Sequence, residues 1–392
     1  MSTKKILILT TSYGDGHIKT ATSVSNEIKK QNPSVEVRII NLFHEAHPII
    51  NKIIKYLYLK CYSRVPKIYG LLYYSTKDIR RNFYINNLIG MFGKNTLRKY
   101  LKDLKPNIVI NTFPVLAMPI HYKKGKTNIP CYTIITDYGI HSQWIDPGVE
   151  KYFVAHESLK KQMIEQGVDE NRVEVTGIPV YLDNKELNRV KFINNYGLRE
   201  NNLPIVTVLA GANGVLRNLN ETCTKLYSMK PEAQFVIVCG KNKSLQQNVK
   251  KATEQYRDRI KVFGFVDNLH EVMTFSDIVV SKAGGITTTE ALDLGVPMVV
   301  YGTPAGQEQE NTKFLIKNNC SYHAKKLNEL IKILAQLLGD RSMLENMKNN
   351  MKAIAKPNNC NNIVKSILQD IYNKESKPDT TENEANSSCI KS

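Results

Sequence analysis

The stretch Ser281-Lys282-Ala283-Gly284-Gly285-Ile286-Thr287-Thr288-Thr289-Glu290 decides the fold. Ahead of it, Ser276-Asp277-Ile278-Val279-Val280 is a short apolar run of the buried-strand type. Gly284-Gly285 lets backbone approach a ligand with no side chain in the way. A helix is expected to begin at Thr287, Thr288 and Thr289, and the free N–H groups of such a terminus attract phosphate. On that reading Glu290 falls in the first turn, where a carboxylate can bind paired sugar hydroxyls. Gly295-Val296-Pro297 ends the helix and Met298-Val299-Val300 opens the next strand. Strand, glycine turn, helix and strand make a βαβ unit, although glycines in such a turn also serve packing alone.

Working outward, 392 residues are enough for two domains. The formal charge of +18, from 54 basic and 36 acidic residues, fits an anionic partner: nucleic acid, an anionic lipid surface or a nucleotide. It also fits a generally basic proteome. Seven scattered cysteines, odd in number and without a Cys-x-x-Cys, argue against a disulfide framework and for a reducing cytosol. Ile6-Leu7-Ile8-Leu9 is too short for a signal core. No run of about 18 apolar residues occurs, so a membrane role would be peripheral.

The first domain is read as residues 1–180. Residues 4–11 form a strand, Ser12-Tyr13-Gly14-Asp15-Gly16-His17 a turn, and Ala21, Val24 and Ile28 recur on one helical face. This is a Rossmann-like first unit, but neither a P-loop nor the dinucleotide fingerprint. Further strands fall at 35–42, 107–112 and 131–136, and residues 173–180 end the domain. His17 sits at the carboxyl end of the first strand, where ligands of such sheets bind. The plainer reading is a helix cap or a solvent-facing side chain. Asp137, at another strand end, is a second base candidate or a loop cap. Trp144, the only tryptophan, is core or an acceptor-facing aromatic. His44-Glu45-Ala46-His47 lacks the metalloprotease spacing and a third ligand, so no metal is expected.

Residues 181–203 are polar and read as a linker. The second domain, 204–357, opens with strand 205–209 and Ala210-Gly211-Ala212-Asn213-Gly214, a loop suited to presenting N–H groups to a diphosphate. Residues 358–373 form an amphipathic helix. Residues 374–392 lack an apolar pattern and read as a disordered tail.

Between 48 and 100 the basic residues Lys52, Lys55, Lys60, Arg64, Lys67, Lys77, Arg80, Arg81, Lys94, Arg98 and Lys99 face one acid, Asp78. Tyr56 and other aromatics stand between them. Cationic helices with aromatic and aliphatic residues fit the interface of an anionic bilayer, or pack on the domain with a solvated basic face. Nucleic acid is not expected, because no motif for it appears.

Lys282 to Thr287, Glu290, and then Pro304-Ala305-Gly306-Gln307-Glu308 with Asn311, resemble the donor-site signature of one family. It joins monogalactosyldiacylglycerol synthases, bacterial diacylglycerol β-glucosyltransferases and the peptidoglycan N-acetylglucosaminyltransferase. The resemblance covers roughly residues 4–370. It implies a GT-B fold, two Rossmann-like domains facing a cleft, and a UDP-sugar donor with no cofactor. Gly211, Asn213, Phe265, Val266, Gly284, Gly285, Thr287, Thr288, Glu290, Gln307 and Glu308 would bind the donor. His17 would be the base, with Asp137 as its rival, and His141 and Trp144 would meet the acceptor. The helix at 358–373 would return to the first domain. Residues 45–48 and 136–154 resemble the glycolipid branch, which implies a diacylglycerol acceptor and a peripheral place on the cytoplasmic membrane face, with Lys52, Lys55, Tyr56, Lys60, Arg80 and Arg81 toward anionic phospholipid. Tyr181 replaces the arginine of the peptidoglycan branch. No Asp-x-Asp occurs, so a metal-clamped diphosphate is not expected. UDP-galactose as donor, a UDP-sugar epimerase and a non-catalytic UDP-sugar sensor remain open alternatives, and the sequence does not fix an oligomeric state.

Overall fold

The computed structural model describes residues 3–77, 93–114, 129–181, 187–216 and 218–373, the side chains at 58–64, 66, 67 and 72 excepted. Among these residues each half is built on six parallel strands. The first holds β1 (Lys5–Thr10), β2 (Glu36–Asn41), β3 (Ile108–Asn111), β4 (Cys131–Ile134), β5 (Lys151–Val154) and β6 (Val173–Val175). Their order is β2-β1-β3-β4-β5-β6. The second holds β7 (Ile205–Leu209), β8 (Gln234–Val238), β9 (Ile260–Phe263), β10 (Ile278–Ser281), β11 (Met298–Tyr301) and β12 (Ser321–Ala324). Their order is β12-β11-β10-β7-β8-β9.

Parallel strands covered by helices on both faces read as continuous apolar runs, which is why KILILT and IVTVL were legible. The register places Ile8 opposite Ile39 and Ile110, and Val279 opposite Thr207 and Met298. The order reverses between β1 and β3 and between β7 and β10. A crevice opens at the carboxyl ends of strands at such a point. In both halves the glycine turns found in the sequence lie there.

The helix Asp15–Gln31 buries Ala21, Val24 and Ile28 against Ile6, Ile8 and Ile108. The helix Asn359–Asn373 lays Ile363, Val364 and Ile367 on the same core, so the chain returns to its first half. The two crossings touch. Val180 N donates to Asn359 Oδ1 at 3.1 Å. Gly177 has φ +87°, and a Cβ there would lie 2.9 Å from both Asn359 Cβ and Lys356 Cβ.

Two boundaries differ from the sequence reading. Residues Arg189–Asn195, read as linker from their polarity, form a helix that buries Phe192 against Phe275, with ring centroids 5.0 Å apart. One aromatic per turn is enough to dock a short helix, and polar neighbours hid it. The helix expected to begin at Thr287–Thr289 begins at Gly285 and ends at Leu294, capped by Gly295 at φ +63°. Glycine disfavours helix interiors but not this first position, where the N–H has no helical partner. The expected tail at 374–392 lies outside the described residues, as do Arg80 and Arg81.

Candidate active site

A cleft of about 300 Å³ lies between the halves. The helices Asp15–Gln31, Gly285–Leu294 and Gln307–Lys317 all begin on it, since Asp15, Gly285 and Gln307 line it. Each terminus offers unpaired N–H groups and the positive end of a helix dipole. The cleft is therefore built to receive an anion.

From the first half come His17, at the start of its helix, and Asp137, just past β4. His17 Nδ1 lies 2.8 Å from Thr112 O and 3.0 Å from Thr136 Oγ1. A carbonyl can only accept, so Nδ1 carries the proton and Nε2 keeps its lone pair. Burial pushes the imidazolium pKa down to about 4, against a smaller upward pull from the Thr112 bond. The ring is neutral at physiological pH and held by a fixed tautomer. Phe113 packs edge-on, with centroids 5.0 Å apart.

Burial pushes Asp137 up to about 7; the bond from Asn311 opposes this and the charge of Glu308 adds to it. Asn311 is fully buried. Its Nδ2 donates to Asp137 Oδ1 at 3.1 Å and to Ala283 O at 2.8 Å, while Oδ1 accepts from Tyr138 N at 2.7 Å. One amide thus satisfies groups from both halves. Composition gave no hint of this role, because an Asn in a helix usually signals only solvent or a cap.

From the second half, Gly211, Asn213, Phe265, Val266, Gly284 and Gly285 line the cleft. Thr287, Gln307 and Glu308 join them. The loops after β7 and β8 are pressed together: a Cβ at Gly240 would lie 2.4 Å from Gly211 O. Lys241 was passed over in the sequence, yet its Nζ lies 3.3 Å from Asp15 Oδ2 across the cleft and 5.3 Å from the Phe265 ring centroid. Gly285 has a different reason from the expected one. A Cβ there would lie 1.9 Å from Thr136 O, in the other half, whereas one at Gly284 would meet nothing within 4 Å. Gly284 leaves room on the cleft side; Gly285 lets the halves close.

Four expected site residues do not line the cleft. Thr288 is fully buried. Glu290 stands in the second helical turn, because the helix starts early. Its carboxyl is buried, Oε2 has no protein hydrogen-bond partner, and burial raises its pKa against the nearby Lys19 charge. His141 is also buried: Nδ1 accepts from Gln143 N at 3.2 Å and Nε2 faces Tyr73 O at 3.2 Å. Both ring nitrogens are spent on holding a turn to a helix. Trp144 is core, with its ring 6.3 Å from that of His17. It backs the cleft rather than facing it.

Beside the cleft, the helices Pro48–Arg64 and Pro66–Ser75 expose apolar side chains, with Ile49 75% and Leu71 71% accessible. Lys52 and Tyr56 are exposed and Lys55 is half-buried there; the Lys60 side chain is outside the described set. Among the described residues no helix is long and apolar enough to cross a membrane, and no three His, Cys, Asp or Glu side chains cluster as a metal site.

Residues 17–180 match the family described as monogalactosyldiacylglycerol (MGDG) synthase, and residues 205–371 match the glycosyltransferase family 28 C-terminal domain. The processive diacylglycerol beta-glucosyltransferase of Bacillus thuringiensis is 36% identical over 371 residues, covering 93% of this chain and 94% of that protein. That of Bacillus cereus (strain AH187) is 37% identical over 369 residues, covering 93% of each. Among solved structures, Acinetobacter baumannii MurG aligns with a TM-score of 0.59 at 16% identity over 93% of this chain and 99% of its own. UDP-GlcNAc 2-epimerase from Neisseria meningitidis aligns at 0.61 and 18%, over 93% and 100%. These last two share the GT-B architecture, which is all such identities show. With both halves matched and a third of the residues identical over nearly the full length, the chain belongs to the glycosyltransferase family 28 proteins of the monogalactosyldiacylglycerol synthase type.

Proposed function

We propose that this protein transfers glucose from UDP-glucose to diacylglycerol, and again to the product, giving mono- and diglucosyl lipids. The observation that supports this best is the pairing, in one cleft, of a neutral histidine from the first half with helix N-termini from the second. In this reading UDP lies on the second half, with uracil beside Phe265 and Val266 and diphosphate at Gly211, Asn213 and the Gly285 terminus. Glu290, beneath the cleft lining and with its buried Oε2 unmatched by any donor among the described residues, would serve the ribose once the helix start shifts to admit it, and Thr288 would support that helix from within.

The acceptor hydroxyl attacks the anomeric carbon from the face opposite UDP. The new C–O bond forms as the bond to the diphosphate breaks, and the configuration inverts. Nε2 of His17 takes the hydroxyl proton. Negative charge gathers on UDP, where N–H groups fixed by the helix starts meet it without reorganisation. Asp137 is the rival base, and its raised pKa makes it a weaker acid than an ordinary carboxyl.

The exposed helices would rest on anionic phospholipid, at the cytoplasmic face, and deliver diacylglycerol sideways into the cleft. The buried free cysteines 131, 223, 239, 320 and 360 accord with a reducing compartment. Ile49→Ser, Ile53→Ser and Leu71→Ser together should cut sedimentation with anionic vesicles by at least about tenfold, since each buried aliphatic contributes roughly 1.5–3 kcal/mol. UDP affinity should hold. A triple variant that sediments like wild type would remove this surface from the reading.

The direct test supplies radiolabelled UDP-glucose or UDP-galactose with diacylglycerol in anionic micelles. Thin-layer separation reads sugar identity and number. Labelled lipid with galactose alone would make the protein a galactosyltransferase. No labelled lipid with either donor would favour an epimerase or a sensor.

A further inference from the structure

We propose that Tyr69 is a positioning residue for the donor sugar: its hydroxyl orients the amide of Gln307 across the interface between the halves. The inference rests on the UDP-sugar reading above and deepens it. Tyr69 belongs to the first half, on the exposed helix Pro66–Ser75, while Gln307 opens the helix Gln307–Lys317 of the second half and lines the cleft. Tyr69 Oη donates to Gln307 Oε1 at 2.6 Å. A phenol meeting an amide oxygen donates to it, and in this arrangement the oxygen end of Gln307 is the one turned to Tyr69. The NH₂ end, with two donors, is what remains for the cleft. Two donors beside a helix N-terminus suit the hydroxyl oxygens of a sugar attached to a diphosphate.

The turn before Gln307 is pressed onto the same helix. Gly306 has φ +59°, and a Cβ there would lie 2.7 Å from Tyr69 Cε1 and 3.2 Å from the Tyr73 ring. A second tether sits one turn further along. Glu310 Oε1 accepts from Tyr74 Oη at 2.6 Å, and Lys77 Nζ lies 3.3 Å from Glu310 Oε2. Burial of the Glu310 carboxyl raises its pKa, but these bonds and the Lys77 and Lys313 charges outweigh that and hold it below its usual value. Docking of the helix therefore does not hang on the Tyr69 hydroxyl. What the Tyr69 hydroxyl adds to this docking is the bond to Gln307. The other face of the helix carries Ile68 and Leu71, 51% and 71% accessible. The surface offered to the lipid and the amide offered to the sugar are thus one helix apart.

The test is Tyr69→Phe, which deletes the hydroxyl and keeps the ring on Gly306. Calorimetry compares UDP, UDP-glucose and UDP-galactose. In wild type the sugar nucleotide with the better fit should bind more tightly than UDP. Tyr69→Phe should remove roughly tenfold of that advantage, the scale of one hydrogen bond, with UDP affinity and melting temperature unchanged. Gln307→Ala should do the same, and the double variant should be no worse than Gln307→Ala alone, because both act through one amide. Additive losses, or equal losses for UDP and the sugar nucleotide, would mean that Tyr69 only packs the interface. A wild type with no advantage for either sugar nucleotide also overturns the inference. Failure of the lipid-transfer assay with the binding cycle intact would instead count against the acceptor assignment alone.

Discussion

His17→Ala should lower kcat by roughly 10²–10⁴-fold, the range for loss of a general base. UDP affinity should hardly change, since the nucleotide is assigned to the other half. The variant should melt a few degrees lower, because His17 is not an exposed loop side chain: it bonds the Thr112 carbonyl and packs on Phe113. The pH profile separates the two base candidates. If His17 is the base, kcat/KM should stay flat on the acid side until near pH 4, where the ring protonates. If Asp137 is the base, activity should already be falling near pH 7. Stability follows the same group. The folded pKa is depressed below the unfolded value near 6.5, so the contribution is whole above 6.5 and is lost as pH falls from 6.5 to about 4. A folded His17→Ala enzyme with wild-type turnover would move the proton transfer to Asp137.

Gly285→Ala should be nearly as damaging, for a geometric reason. The added methyl would stand 1.9 Å from the Thr136 carbonyl oxygen, and nothing in that backbone can swing aside. The halves must part by about 1 Å or more, and a misplacement of that size costs on the order of 10²-fold in rate. UDP should still bind, since the added methyl points at the first half, but melting should fall, because one apolar cluster crosses the seam from Tyr138 and Trp144 to Ile286 and Phe314. Gly284→Ala is the contrast: its methyl meets no protein atom within 4 Å, so it tests approach of the ligand and should raise KM for the donor instead. If Gly285→Ala turns over within about threefold of wild type, the closed arrangement is not the reactive one.

The strands were legible because parallel, doubly covered strands must be apolar without a break, as in Ile6-Leu7-Ile8-Leu9 and Ile278-Val279-Val280. The glycine turns were legible because few other residues allow a loop at a strand end to fold so tightly. Their reasons were not. Whether Gly285 clears a ligand or a carbonyl 149 positions earlier in the chain depends on how two domains meet, and no local pattern encodes that. His17 and Asp137 were visible as chemistry-bearing residues at strand ends. Tyr69 and Lys241 were not, and Asn311 stood out only as part of the family signature, because each works against a partner in the other half. His141 and Trp144 are buried, and an unusual residue type in a loop can as well be spent holding the loop. The resemblance to the glycolipid enzymes carried the reading across these gaps.

The return of the helix Asn359–Asn373 to the first half sets an order of assembly. Ile363, Val364, Ile367 and Ile371 complete the core beneath the helix Asp15–Gln31. During synthesis these four side chains are among the last of the described residues to leave the ribosome. Until they do, the first half carries an open apolar trough, while the second half, with a core of its own, can already close. The usual sequence of N-terminal domain first is therefore reversed at the final step. Translation that stops near residue 357 leaves a finished nucleotide half joined to an unfinished acceptor half, missing about 6–12 kcal/mol of burial and exposing a surface that chaperones and proteases recognise.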